Sequence, residues 1–280
     1  IFSLKLWMTI VRPKKALGQH FLRDLSVALR IAATLDDCKG MPVLEVGPGT
    51  GVLTKFLLEK GHDLKVVEID RDSIAYLYEH FPELADGRIL AEDFLKTDLK
   101  RLYQGIAFCL IGNYPYNISS QILFKVLENR DQVLYCVGMF QKEVAERICS
   151  PAGRKSYGIL SVFLQAYYDI DYLFTVSEKV FEPPPKVQSA VIRLKRNSNQ
   201  SLACDENLFR KVVKTAFNQR RKTLRNSLKP LLGKEAPFYA EAIFDKRPEQ
   251  LSVKQFEYLT GLVSDFYYSN SPSGAGIGQS

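Results

Sequence analysis

The sequence predicts an α/β fold with helices on both faces of a mostly parallel sheet, followed by a small all-helical domain. Three observations predict it. Short apolar, β-branched-rich runs at 42–46, 64–69, 88–91, 106–111 and 133–140 alternate with stretches of helical spacing such as 52–60 and 120–128, the signature of parallel strands joined by crossover helices. Two later runs, 169–176 and 188–196, flank the turn-forming Glu182-Pro183-Pro184-Pro185 and bring the expected sheet to about seven strands. Past Arg196, the polar run Asn197-Ser198-Asn199-Gln200-Ser201 has little to bury and marks a domain boundary.

Beyond that boundary Leu208, Val212, Ala216 and Phe217, then Leu224, Leu228 and Leu231, and later Phe256, Leu259 and Val263 recur at helical spacing. The expected organisation is an extension over 1–11, a first domain over 12–196, a helical second domain over 202–268 and a Gly/Ser-rich disordered tail over 269–280. Ile1 to Trp7 precede Met8, and translation is expected to start at Met8. Ser119 or Ser120 is expected to cap the helix that carries Ile122, Leu123 and Val126.

Composition narrows the class. At 46% hydrophobic and 25% charged residues, the 280-residue chain lies in the globular range and away from disorder. No stretch approaches the ~20 apolar residues that span a bilayer, so a cytoplasmic protein is expected. Cys38, Cys109, Cys136, Cys149 and Cys204 are widely spaced and form no CxxC pair; they read as reduced core thiols, with no metal site expected. The net charge of +7 is concentrated in two runs. Arg210, Lys211, Lys214, Arg220, Arg221, Lys222, Arg225 and Lys229 face only Asp205 and Glu206, and Arg12, Lys14, Lys15, Arg23 and Arg30 face only Asp24. Such runs suit a polyanion, or are simply solvated helix faces, and 218–225 is expected to form a basic helix.

Three features carry chemistry. Val43-Leu44-Glu45-Val46 runs into Gly47-Pro48-Gly49-Thr50-Gly51 and then a helix. A dinucleotide fingerprint places its third glycine one position later, and a phosphate loop requires a Gly-Lys-Ser/Thr that is absent. The tighter turn suits a nucleoside without pyrophosphate and resembles the first motif of S-adenosylmethionine enzymes, while a plain tight turn or a nicotinamide site stays open. Glu68 and Asp70 at the end of the second strand stand where carboxylates accept from ribose hydroxyls, with Asp93 at the end of the third; each could equally be a helix-capping or solvated acid. Asn113-Tyr114-Pro115-Tyr116 follows the fourth strand, at the sheet edge where ligands bind. The Asn113 side-chain oxygen and the Pro115 carbonyl are suitable acceptors for an adenine amine, and Tyr116 offers a stacking face worth ~1–3 kcal/mol.

These segments, with Leu17-Gly18-Gln19-His20-Phe21-Leu22, Ala91-Glu92-Asp93-Phe94, the run from Val180 to Ser189 and the basic run over 217–224, resemble the ribosomal RNA adenine dimethyltransferases, the small-subunit branch most of all. The resemblance implies a Rossmann-like S-adenosylmethionine methyltransferase sheet. It implies dimethylation of two adjacent adenines in a hairpin near the 3′ end of small-subunit ribosomal RNA, within an assembling subunit, by a monomer. It places His20, Leu22, Gly47, Glu68, Asp93 and Asn113 around the cofactor, Asn113, Pro115, Tyr116 and Phe181 around the target base, and Lys14, Lys15, Arg220, Arg221, Lys222 and Arg225 on RNA. From the residues alone Phe181 reads as a core residue beside a proline turn. His20 stands where asparagine is common and Tyr114 where leucine is usual. The competing readings are a large-subunit adenine methyltransferase that confers antibiotic resistance, and an assembly or transcription factor that uses the fold for binding only.

Overall fold

The computed structural model describes residues 11–269; the expected start at Met8 and nearly all of the tail lie outside them. Nine strands form, β1 (Phe21–Leu22), β2 (Val43–Val46), β3 (Leu64–Glu68), β4 (Ile89–Ala91), β5 (Phe108–Asn113), β6 (Val133–Gln141), β7 (Tyr168–Val176), β8 (Phe181–Glu182) and β9 (Ser189–Arg196). The helices of the sheet region are α1 (Leu25–Ala33), α2 (Val52–Glu59), α3 (Arg71–His80), α4 (Leu99–Leu102), α5 (Ser119–Glu128) and α6 (Lys142–Cys149). They are followed by α7 (Ile159–Gln165), α8 (Glu206–Asn218), α9 (Leu224–Ser227), α10 (Lys229–Leu232) and α11 (Val253–Ser269).

All seven strand runs expected from the sequence join one seven-stranded sheet of order β4-β3-β2-β5-β6-β9-β7. The pairs β3/β4, β2/β3, β2/β5 and β5/β6 are parallel, and β6/β9 is antiparallel. The central strands are buried along their length: Val43, Leu44, Val66, Cys109, Leu110 and Ile111 are fully covered, as a sheet with helices on both faces requires. Because β2 to β5 run parallel, their carboxyl ends share one edge, which brings Val46, Glu68, Ala91 and Asn113 together. A second, two-stranded ladder, β1 with β8, pairs Phe21 with Glu182 and Leu22 with Phe181.

The chain divides into two compact units, residues 11–145 with 169–196, and 146–168 with 197–269. The first unit ends at Arg196, and the stretch 146–168, up to the first residue of β7, belongs to the second unit. The reason is aromatic packing: Tyr157 meets Phe217 and Phe163 meets Phe209 at centroid separations of 6.4 and 6.2 Å. In that unit Val212, Ala216, Leu224, Leu228, Phe256, Leu259 and Val263 are buried as their spacing predicts. Two local expectations fail. No side chain caps α5, whose flanking residue is Ile118, and Ser119 instead donates its hydroxyl to the Tyr116 carbonyl at 3.1 Å. The expected basic helix over 218–225 is interrupted by a turn: α8 stops at Asn218, Lys222 N closes back on Gln219 O at 2.7 Å, and α9 takes up Leu224 and Arg225. Cys38, Cys109 and Cys136 are buried free thiols, and Cys149 and Cys204 are half-buried. Among the described residues no helix is long and apolar enough to cross a membrane, and no cluster of His, Cys, Asp and Glu could hold a metal ion.

Candidate active site

The carboxyl edge of β2–β5 holds an open cavity of about 220 Å³, lined by Gly47, Glu68, Ile69, Asp93, Asn113 and Tyr116 and covered by the segment Ala16 to Phe21. The glycine turn builds its floor. Gly47, Gly49 and Gly51 all have positive φ, and their empty Cβ positions differ. A Cβ on Gly49 would lie 2.8 Å from the Phe21 ring, one on Gly51 would overlap Phe81, and one on Gly47 would meet nothing within 4 Å. Only Gly47 therefore leaves room for a ligand; the other two accommodate the chain's own rings.

Glu68 is 5% exposed and accepts three backbone N–H bonds, from Gly49 at 3.1 Å and from Ile69 and Asp70 at 2.9 Å each. Burial raises its pKa, outweighing the three donors that pull the other way. A carboxylate offers about four lone-pair sites, so with three taken one remains for a ligand hydroxyl. Asp93 spends one oxygen on Leu95 N at 2.9 Å. Behind the turn, Glu45 is enclosed and accepts from the Thr54 hydroxyl at 2.7 Å, and burial pushes its pKa up to about 8.

Asn113 donates Nδ2 to the His20 carbonyl at 2.9 Å. A carbonyl can only accept, so this bond fixes which end of the amide is oxygen and leaves Oδ1 as an acceptor at the cavity. His20 is itself held, since its Nδ1 must donate to the Pro183 carbonyl at 2.7 Å. Its ring stacks on Tyr116 at 5.6 Å and 26°, and the Tyr116 hydroxyl bonds Ser189. Further along the covering segment, Lys14 pairs with Asp70 and, at 2.8 Å, with Asp72, while its backbone N–H donates to Gln19 at 2.7 Å. Burial alone would raise the Asp70 carboxyl, but the bonds from Lys14, Ser73 and Gln19 outweigh it and hold the pKa below its usual value.

Of the residues expected from sequence, the cavity gathers His20, Gly47, Glu68, Asp93, Asn113, Pro115 and Tyr116. It does not gather Leu22 or Phe181. These are register partners in the β1/β8 ladder, 5% and 3% exposed, and both pack into the hydrophobic core. Side-chain alternation explains this: with Phe21 turned to the cavity, Leu22 and the residue paired with it face the other way. The ring beside Tyr116 is His20 instead. Residues the sequence did not single out are Phe21, the Gly49 amide, the Lys14–Asp70 pair and Ile69, which is 52% exposed at the cavity. An apolar residue set between two acids, Glu68 and Asp70, was the available signal for Ile69.

The basic residues have separate surroundings. Lys14 is committed to two carboxylates, whereas Lys15 is exposed. In the second unit Arg220 donates to the Lys155 carbonyl and sits 3.9 Å from Glu249, and Arg225 pairs with Asp245 at 2.5 Å. Arg221 and Lys222 are exposed, and with Arg220 and Arg247 Arg221 borders an open cleft of about 590 Å³.

The profile of the family described as ribosomal RNA adenine dimethylase matches residues 10–259. This chain belongs to that family. It is 68% identical over 253 residues to a ribosomal RNA small subunit methyltransferase A of Parabacteroides distasonis, covering 90% of this chain and 94% of the relative. It is 60% identical over 267 residues to the protein of the same name in Bacteroides thetaiotaomicron, covering 95% and 100%. Among solved structures, a dimethyladenosine transferase from Plasmodium falciparum superposes with a TM-score of 0.71 at 26% identity, over 89% of this chain and 98% of that one. The 23S rRNA methyltransferase ErmE, at TM-score 0.64 and 24% identity, shares the fold. The sheet is that of a Rossmann-like methyltransferase.

Proposed function

We propose that this protein dimethylates two adjacent adenines in a hairpin near the 3′ end of small-subunit ribosomal RNA, with S-adenosylmethionine as donor. The observation that carries this reading is the Asn113 amide, oriented by His20 so that Oδ1 faces a cavity whose other walls suit a nucleoside. The residues fit that cofactor: Gly47 leaves open space, Glu68 keeps one acceptor site for a ribose hydroxyl, Asp93 keeps one oxygen for an adenine amine, and Ile69 offers an apolar face. When bound, S-adenosylmethionine supplies the methyl group.

The chain's own residues prepare the acceptor. The lone pair of an adenine amine is delocalised into its ring, so the site must favour the pyramidal form. Acceptors at Asn113 Oδ1 and the Pro115 carbonyl bind both amine protons and do so. Tyr116 holds the base by stacking, on the face that His20 leaves uncovered. A base inside a helix cannot reach this geometry, so it is flipped or already unpaired. The methylated amine is acidic and loses its proton to water, which is why no strong base is needed; the site works chiefly by positioning. Arg221 and Lys222 supply free cations for phosphates. The same reading places the protein in the cytoplasm as a monomer acting on an assembling small subunit.

The test is a methylation assay with labelled S-adenosylmethionine, in which undermethylated small subunits and protein-free large-subunit RNA are offered separately. Label is expected on adjacent adenines of the small subunit alone. Transfer to large-subunit RNA only, or to neither, would refute the proposal.

A further inference from the structure

Tyr114 lies inside the adenine-holding turn, yet its side chain folds away into the sheet. It is 1% exposed, and its hydroxyl donates to the Val137 carbonyl of β6 at 3.0 Å, 3.4 Å from Cys136 Sγ. The Phe140 ring packs against it at 5.1 Å. What makes room for so large a ring is a pair of glycines in register across β5 and β6, Gly112 and Gly138. A Cβ on Gly112 would lie 2.9 Å from Tyr114 Cε1 and 2.6 Å from the Val46 carbonyl. A Cβ on Gly138 would overlap Tyr114 Cε2 and lie 2.5 Å from the Gly112 carbonyl. Neither glycine has a positive φ, so backbone conformation does not require them. Space for the ring, and for close approach of the strands, does.

The two acceptors of the site, the Asn113 side chain and the Pro115 carbonyl, flank this one residue. Its backbone is restricted to extended conformations because proline follows, and its ring is confined by the glycine slot. We propose that Tyr114 is the positioning residue of the turn: wedged over Gly112 and Gly138 and tied to Val137, it sets how Asn113 and Pro115 face the amine. Burial raises the pKa of its hydroxyl well above the usual value, which keeps it a neutral donor. The function assigned to the ring rests on the methyl-transfer reading above; the anchoring itself does not.

The test compares Tyr114→Leu and Tyr114→Phe with the wild-type full chain. Turnover on undermethylated small subunits, KM for S-adenosylmethionine and amide exchange over 113–118 are measured together. Leucine leaves the slot partly empty, so kcat should fall by about thirtyfold while KM for the cofactor stays within about threefold. Amide exchange over 113–118 should quicken about tenfold, with β2 and β3 unchanged. Phenylalanine keeps the wedge and should restore kcat to within about threefold of wild type. A folded leucine variant with normal kcat, or one whose loss lies in KM, overturns the proposal. So does a leucine chain that fails to fold while the phenylalanine chain folds, because Tyr114 is then a fold residue. Faster exchange in a protein whose wild type methylates no adenine would uphold the anchoring and refute the function instead.

Discussion

The cavity of the first unit and the basic turn of the second treat polar groups in opposite ways. Around the cavity, Glu68 is fixed by three backbone donors, Asn113 by His20, His20 by Pro183, and Asp70 by Lys14, Ser73 and Gln19. In the turn after α8, Arg221 and Lys222 stand exposed with no ion-pair partner among the described residues, while their neighbours Arg220 and Arg225 are tethered to Glu249 and Asp245. Groups already in place lose little freedom when the reaction begins, which is what positioning catalysis requires. Free cations exchange counterions for phosphates, which yields affinity without sequence discrimination. On the proposed reading, one region serves the chemistry and the other holds a polyanion.

Breaking the cavity side should have the largest effect. Asn113→Ala removes an oriented acceptor, and kcat is expected to fall on the order of a hundred- to a thousandfold with melting temperature unchanged; near-normal turnover would refute the acceptor role. Next comes the turn: Arg221→Ala with Lys222→Ala should weaken RNA binding about tenfold and lower the salt slope by about two, read by titration across salt concentrations. Arg225→Ala, which breaks a pair before it frees a phosphate contact, should change that slope less. Lys14→Met unties the segment over the cavity, so S-adenosylmethionine should dissociate about fivefold faster in stopped flow, with little loss in RNA affinity. An equal loss of RNA affinity would return Lys14 to the RNA-binding set.

The smallest effect concerns Glu45. Its pKa rises on folding from 4.5 to about 8, because burial disfavours the charge and Glu68 adds to that while Thr54 opposes it. The folded chain then holds this proton more tightly than the unfolded one. The associated stability is present below about pH 4.5 and is lost as pH rises through about 8. Glu45→Gln keeps an acceptor for Thr54 and never ionises. It should melt about 3 °C above wild type near pH 9, with the gap closing toward pH 5. A gap independent of pH would contradict the assignment.

Much of the fold was legible because buried parallel strands announce themselves as apolar runs, and all seven did. The β1/β8 ladder was not, since a two-residue strand is too short to show a period. The transfer of 146–168 to the second unit depends on Tyr157 and Phe163 meeting Phe217 and Phe209, contacts that no local pattern encodes. The break in the expected basic helix has a similar origin: Arg220 is drawn to Lys155 and Glu249, and tertiary partners override helix propensity there. In the site, the acids and the Asn-Tyr-Pro-Tyr turn were visible as motifs at strand ends. Phe181 was assigned to the base by resemblance, and its packing beside Leu22 matches the plainer reading, a core residue. What the sequence could not reveal is which groups hold others in place, such as Asn113 on His20 or Lys14 on Asp70, because these bonds join residues far apart in the chain.

The division of labour itself is tested by one rate. In the Arg221→Ala, Lys222→Ala double variant, the single-turnover rate of adenine methylation at saturating small subunits should equal that of wild type to within about twofold, although half-saturation requires about tenfold more RNA. A drop in the saturated rate comparable to that of Asn113→Ala would show that the basic turn takes part in the chemistry, and would contradict the separation of the two regions.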